Sequence, residues 1–139
     1  MKELRTYIKS RISSIGTGYK EHDDGFDREN IPRSLLNKSY HISIASAENV
    51  QSTGQINIDR VQATLQIFYK GYRSVRSSAE TSYTKASTLR DKLTNPANFT
   101  SVIKGCRVNS ISVSPLSEDN NNSFIIDMEV EGLIVTAVS

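Results

Sequence analysis

The chain is predicted to be an α+β domain: a four-stranded, mostly antiparallel sheet with an N-terminal helix and a central crossover helix packed on one face. Three observations predict it. Val61, Ala63, Leu65, Ile67 and Tyr69 alternate with Gln62, Thr64 and Gln66, and a period of two is a strand with one face on a core. The spacing then changes to Ala79, Tyr83, Ala86, Leu89 and Leu93, which is one face of a helix. Two further alternating runs follow, so strands and helices segregate as they do when helices cover one face of an antiparallel sheet.

Residues 2–14 read as an amphipathic helix. Leu4, Ile8, Ile12 and Ile15 form a stripe with Tyr7 beside it, while Lys2, Glu3, Arg5, Lys9 and Arg11 face outward. Gly16-Thr17-Gly18 ends it, because glycine takes a left-handed cap without strain. The segment 19–38 holds Asp23, Asp24, Gly25, Asp27, Arg28, Glu29 and Pro32 and has no sustained period. A loop of that length in a compact domain is either functional or disordered alone; here it is expected to be mobile and to order against a neighbour. Residues 39–47 alternate Tyr40, Ile42 and Ile44 with His41, Ser43 and Ser46 and form the first strand. Residues 48–55 turn into the long second strand as an antiparallel hairpin.

A tight Lys70-Gly71-Tyr72-Arg73 corner leads to the helix. Ser77 and Glu80 stand at capping-box spacing, and Asn95-Pro96 stops the helix. Residues 97–104 cross back, anchored by Phe99, Val102 and Ile103. In 106–114, Cys106 and Val108 lie on one parity and Ile111 and Val113 on the other, which predicts a bulge near Asn109-Ser110. Residues 115–123 form a solvated turn. The last strand, 124–138, places Ile126, Met128, Val130, Gly132 and Ile134 on one side and Asp127, Glu129 and Glu131 on the other.

At 139 residues the chain is expected to be one domain, 1–139. Such a chain buries roughly 68% of its unfolded surface without staples. The single cysteine, Cys106, leaves no partner for an intramolecular disulfide and reads as a buried structural thiol among Ile103, Val108 and Ile111. The first residues lack the apolar core of a secretory signal, and no apolar run approaches the ~18 residues of a membrane helix. A soluble protein made in a cytoplasm is the expectation. The net charge of +2, from 17 basic and 15 acidic residues, is too balanced to argue for a nucleic-acid or membrane surface. Without tryptophan and with scattered tyrosines, a stacking platform for bases is poorly supported.

Several constellations invite a chemical reading. His22, Asp23, Asp24, Asp27 and Glu29 offer oxygen ligands near a glycine, but their spacing fails the calcium-loop pattern, and a solvated acidic loop accounts for them. His22, His41 and Cys106 share no zinc spacing. Serines, histidines and aspartates occur without a nucleophile elbow, and Gly16-x-Gly18 is a helix stop and not a dinucleotide fingerprint. Asp127, Glu129 and Glu131 read as a solvated strand face, or as a lining that repels a polyanion or matches a basic partner. Lys70, Arg73 and Arg76 form the one local basic cluster, either a solvated corner or a docking contact to a neighbouring subunit.

The N-terminal helix, the acidic loop, the Ile31-Pro32-x-x-x-Leu36 entry, the long strand with its Lys70-Gly71-Tyr72-Arg73 corner, the helix and the two last strands together resemble a known layout. It is that of the tail terminator (tail completion) proteins of long-tailed, lambda-like bacteriophages, and the likeness covers nearly the whole chain. The resemblance implies a ring, typically a hexamer, that caps the tail tube, ends its polymerisation and presents a surface for head attachment. The implied partners are further copies of the chain, the tail tube protein and a neck or head-completion protein. DNA passes through without sequence-specific binding, and no membrane is involved. The implied place is the head-proximal end of the virion tail, after assembly in the host cytoplasm. No enzyme activity, cofactor or metal is implied. An acidic lumen would keep DNA from sticking, which makes Asp127, Glu129 and Glu131 channel-lining candidates. Asp23, Asp24 and Asp27 against Lys70, Arg73 and Arg76 are subunit-interface candidates, since heterologous contacts close into rings when the rotation fits. Head-to-tail joining proteins of the neck share the plan and are the alternative. A small metal-dependent enzyme using residues 22–29 is the rival from another class.

Overall fold

The computed structural model describes residues 2–22, 37–69, 75–115 and 123–137, with the side chains of 75–79, 82 and 115 outside that description. In chain order the elements are α1 (Lys2–Ile15), β1 (Lys20–Glu21), β2 (Ser39–Ser52), β3 (Ile56–Tyr69), α2 (Val75–Thr94), a 3-10 turn (Pro96–Asn98), β4 (Ile103–Pro115) and β5 (Phe124–Ala137). The alternating run around Leu65 lies at the centre. β3 pairs with β5 without interruption from Ile56↔Ala137 to Tyr69↔Phe124. Val61, Ala63, Leu65, Ile67 and Tyr69 are all buried on one face, while Gln62 on the other is exposed.

The sheet corrects the expected fold class. It has five strands in the order β1-β2-β3-β5-β4 and is mixed, because β1 runs parallel to β2 while the other three ladders are antiparallel. A two-residue strand inside a polar segment has no alternation to announce it. It exists because both ends of that segment are held. The Lys20 N–H donates to the Lys38 carbonyl at 3.2 Å and the Lys38 N–H to the Phe68 carbonyl at 2.8 Å. Lys38 turns the chain at φ 68°, in the left-handed region few side chains adopt. Tyr19 packs edge-on against Tyr69, their hydroxyls 2.6 Å apart. The Nζ of Lys38 and of Lys85 lie 5.1 and 4.9 Å from the centroids of the Tyr19 and Tyr69 rings, cation–π contacts that cover the pair. Residues 23–36, most of the segment expected to be mobile, lie outside the described residues.

Two further boundaries differ from expectation. β2 continues to Ser52 and β3 begins at Ile56, so the hairpin turn is only Thr53-Gly54-Gln55. Side chains at residues 45–52 are exposed throughout, and a strand with no buried face carries no apolar alternation. α2 starts at Val75, so Ser77 lies within the helix and is not its N-cap. The threonines of this helix satisfy their hydroxyls on the preceding turn, with Thr84 donating to the Glu80 carbonyl and Thr88 to the Thr84 carbonyl. The register of β4 against β5 shifts between Ile103 and Gly105 and again between Val108 and Ser110, which reconciles the two apolar parities of β4.

α2 joins β3 to β4, which run parallel on either side of β5. Both helices lie on the face that carries Leu65. Leu4, Ile8 and Ile12 of α1 and Ala86, Leu89 and Leu93 of α2 are buried there against Ile126, Met128, Val130 and Ile134. Tyr83, expected in the α2 stripe, stands 49% exposed. Tyr7 reaches from α1 to α2, donating its hydroxyl to the Leu93 carbonyl at 2.6 Å.

Gly132 sets how closely α1 approaches the sheet. A Cβ there would lie 2.7 Å from Cδ1 of Leu4, which is fully buried. Gly132→Ala is expected to destabilise the fold by about 1–3 kcal/mol through overpacking. Leu4→Ala is expected to cost about 2–5 kcal/mol through a cavity. The two share one space, so the double variant should lose less than the sum in urea unfolding; strict additivity would contradict the contact.

Candidate functional site

With one face of the sheet under the helices, the opposite face carries the polar parity of every long strand. On β5 that parity is Asp127, Glu129 and Glu131, spaced roughly 6.8 Å apart by strand geometry. Carboxylates so close repel unless donors stand between them, and β3 supplies those donors rung by rung. Gln66 lies opposite Asp127, Thr64 opposite Glu129 and Gln62 opposite Glu131. Gln66 Nε2 donates to Asp127 Oδ1 at 3.1 Å. Thr64 Oγ1 lies 3.1 and 3.2 Å from the Glu129 carboxylate oxygens. Gln62 Nε2 donates to Glu131 Oε1 at 3.4 Å. The residues that look like neutral spacers in the β3 alternation hold the acidic row in place.

The three carboxylates differ in environment. Glu131 is only 9% exposed and is paired with cations from both sides. Arg107 Nε of β4 lies 2.7 Å from Oε2, and Arg60 Nε of β3 lies 3.9 Å from Oε1. Arg60 also reaches Glu48 of β2 at 3.7 Å. Asp127 is half-buried, and Glu129 is exposed with Thr64 as its hydrogen-bond donor. Beside the arginines is a depression of about 300 Å3 lined by Arg60, Gly105, Cys106, Arg107, Glu131 and Leu133.

The sequence reading placed the acidic row on its strand face but missed Arg60 and Arg107, which neutralise one end of it, and Glu48, a further carboxylate that shares Arg60. The signal was available: Arg60 shares the parity of Gln62 and Gln66. It also missed that the face closes at its other end, where Phe68 and Ile125 pair in register and are buried. Ile67-Phe68-Tyr69 and Phe124-Ile125-Ile126 are unbroken apolar runs, the mark of a strand end buried on both sides.

The other candidates are placed less fully. Asp23, Asp24, Asp27, Lys70 and Arg73 lie outside the described residues, as does the side chain of Arg76 in α2. The acidic segment 22–29 is represented only by His22, whose carbonyl lies 2.9 Å from His41 Nδ1. Among the described residues no group of three or more His, Cys, Asp or Glu is placed to hold a metal ion, and no helix is long and apolar enough to cross a membrane.

Cys106 packs against the core, and burial pushes its thiol up from 9.0 to about 12. Burial moves Tyr7 the same way, from 10.0 to about 12.

Along nearly its whole length the chain is similar to a solved chain of the virion of a native gene transfer agent particle. The TM-score is 0.57 at 10% identity, covering 96% of this chain and 95% of the other. At that identity the likeness is one of fold. No protein-family model and no curated protein matches the chain.

An acid kept protonated by burial supports the fold at neutral pH. That support is lost as the pH climbs from the unfolded value toward the folded one. Cys106 and Tyr7 both act in this sense, so the unfolding midpoint should hold steady up to about pH 9 and fall between there and about pH 12. A thiol reagent near pH 8 should modify Cys106 at least about tenfold more slowly in the folded protein than in urea. Equal rates would contradict a protonated, packed thiol.

Proposed function

We propose that this chain is a non-enzymatic structural protein of a phage-like virion, and that it acts as a tail terminator. Copies form a ring, hexameric by the resemblance, that caps the tail tube, ends its polymerisation and offers a surface for head attachment. The observation that carries the reading is the division of the sheet. One face is committed to α1 and α2, while the other holds Asp127, Glu129 and Glu131 on a built ladder of donors. An acidic wall of this kind repels the DNA backbone and lets it pass unbound. The chain-long likeness to a gene transfer agent virion chain supports the virion class.

In this reading Asp127 and Glu129 line the channel, and Glu131 with its arginines marks the end of the acidic row. Asp23, Asp24 and Asp27 of one copy meet Lys70, Arg73 and Arg76 of the next. The partners are other copies, the tail tube protein and a neck or head-completion protein, with no cofactor.

The test is tube growth. Purified tail tube protein is allowed to polymerise with and without this chain, and tube lengths are measured by electron microscopy. Termination predicts that amounts far below one chain per tube subunit shorten the tubes and leave density at one end only. Tubes that keep their length, with the chain bound instead to head or neck protein, would assign it to the neck.

A further inference from the structure

The sheet ends in two long edges. Among the described residues nothing pairs with the outer side of β4, and β1 covers β2 only at Ser39 and Tyr40. Open edges of this length recruit further strands unless a partner takes them. They are complementary in direction, because β2 runs antiparallel to β4 within the sheet. Rotation about an axis along the strands therefore brings the β2 of one copy antiparallel to the β4 of the next. They are complementary in charge as well. Glu48 is the one charged residue of 45–52, and Lys104 and Arg107 are the only charged residues of β4. The Glu48 side chain is 72% exposed and that of Arg107 is 69% exposed.

We infer that copies of this chain join edge to edge, β2 of one against β4 of the next, with Glu48 seated beside the next copy's Gly105 between Lys104 and Arg107. This deepens the ring reading above and rests on it. The charges select one register, and that register continues the sheet's own rung. Glu48 faces Arg60, Arg60 faces Leu133, and Leu133 faces Gly105, so Glu48 and Gly105 already share a rung and a face. The depression beside Gly105 offers room for the carboxylate. A Cβ at Gly105 would approach only Leu133, at 3.5 Å, and the missing side chain keeps the edge open. Arg107 contacts Glu131 through Nε, which leaves its other N–H groups for a second acceptor. Register shifts occur in β2–β3 and β4–β5, the two ladders that flank β3–β5, while β3–β5 has none. Bulges bend and coil a sheet, and curvature at both flanks suits closure into a ring.

The test is a cross-link. Paired antiparallel residues bring Cα atoms within disulfide range, and Gly105 accepts a side chain by the geometry above. Glu48→Cys with Gly105→Cys, made in a Cys106→Ala background and oxidised in solution, should give a ladder of covalent oligomers on a denaturing gel, while each single substitution in that background remains at monomer length. Dimers from either single variant would mean that an edge pairs with its own kind, and would overturn the inference. A closed ring by light scattering with no ladder would overturn it too, yet leave the ring reading standing; a monomer at every concentration, with tubes or without, would end both. As a second variant, Glu48→Lys should raise the concentration needed for assembly by roughly tenfold or more, and adding Lys104→Glu should bring it back. No change from Glu48→Lys would contradict the pairing.

Discussion

The pairing of β3 with β5 is the constraint on which the rest depends. It runs without a bulge along 14 residues, and it puts Leu65 beside Met128 and Thr64 beside Glu129. Because side chains alternate with a period of two, a slip of one residue would turn Met128 toward solvent and Glu129 toward the helices. Burial of the Leu65 face under α1 and α2 makes that slip prohibitive. The same burial fixes the geometry of the acidic ladder, whose donors and acceptors meet only in that register.

That coupling explains how an acidic row tolerates its own repulsion. Each carboxylate meets a donor chosen by register, and the most enclosed of them, Glu131, also receives the two guanidinium groups. Glu129 stays exposed on the open side of the sheet. The face therefore grades from a paired, basic-flanked end at Arg60 and Arg107 to an acidic middle, and then to the closed apolar end at Phe68 and Ile125. In a ring such a gradient would repeat around the channel at one height, which is a different object from a uniformly acidic tube.

Much of this was legible in the chain itself, and for identifiable reasons. The alternations at Val61–Tyr69 and Ile126–Ile134 are strict because one face of each strand is buried, and the β4 bulge showed itself as a change of parity between Val108 and Ile111. What was not legible has a common cause: elements that bury little leave no pattern. β1 is two residues held by backbone hydrogen bonds and a tyrosine pair. The far half of β2 is exposed along its length, so its residues read as a turn. Hence the sheet was expected to have four strands where five are present. The arginines around Glu131 were missed because cross-strand register, and not spacing within one strand, brings them together.

The ring is the central claim, and the mass of the purified chain in solution tests it most directly. Light scattering across a concentration series should find one closed species, a fixed multiple of the 15.5 kDa chain, either alone or on addition of tail tubes. A monomer whose mass ignores both concentration and tubes would contradict the account.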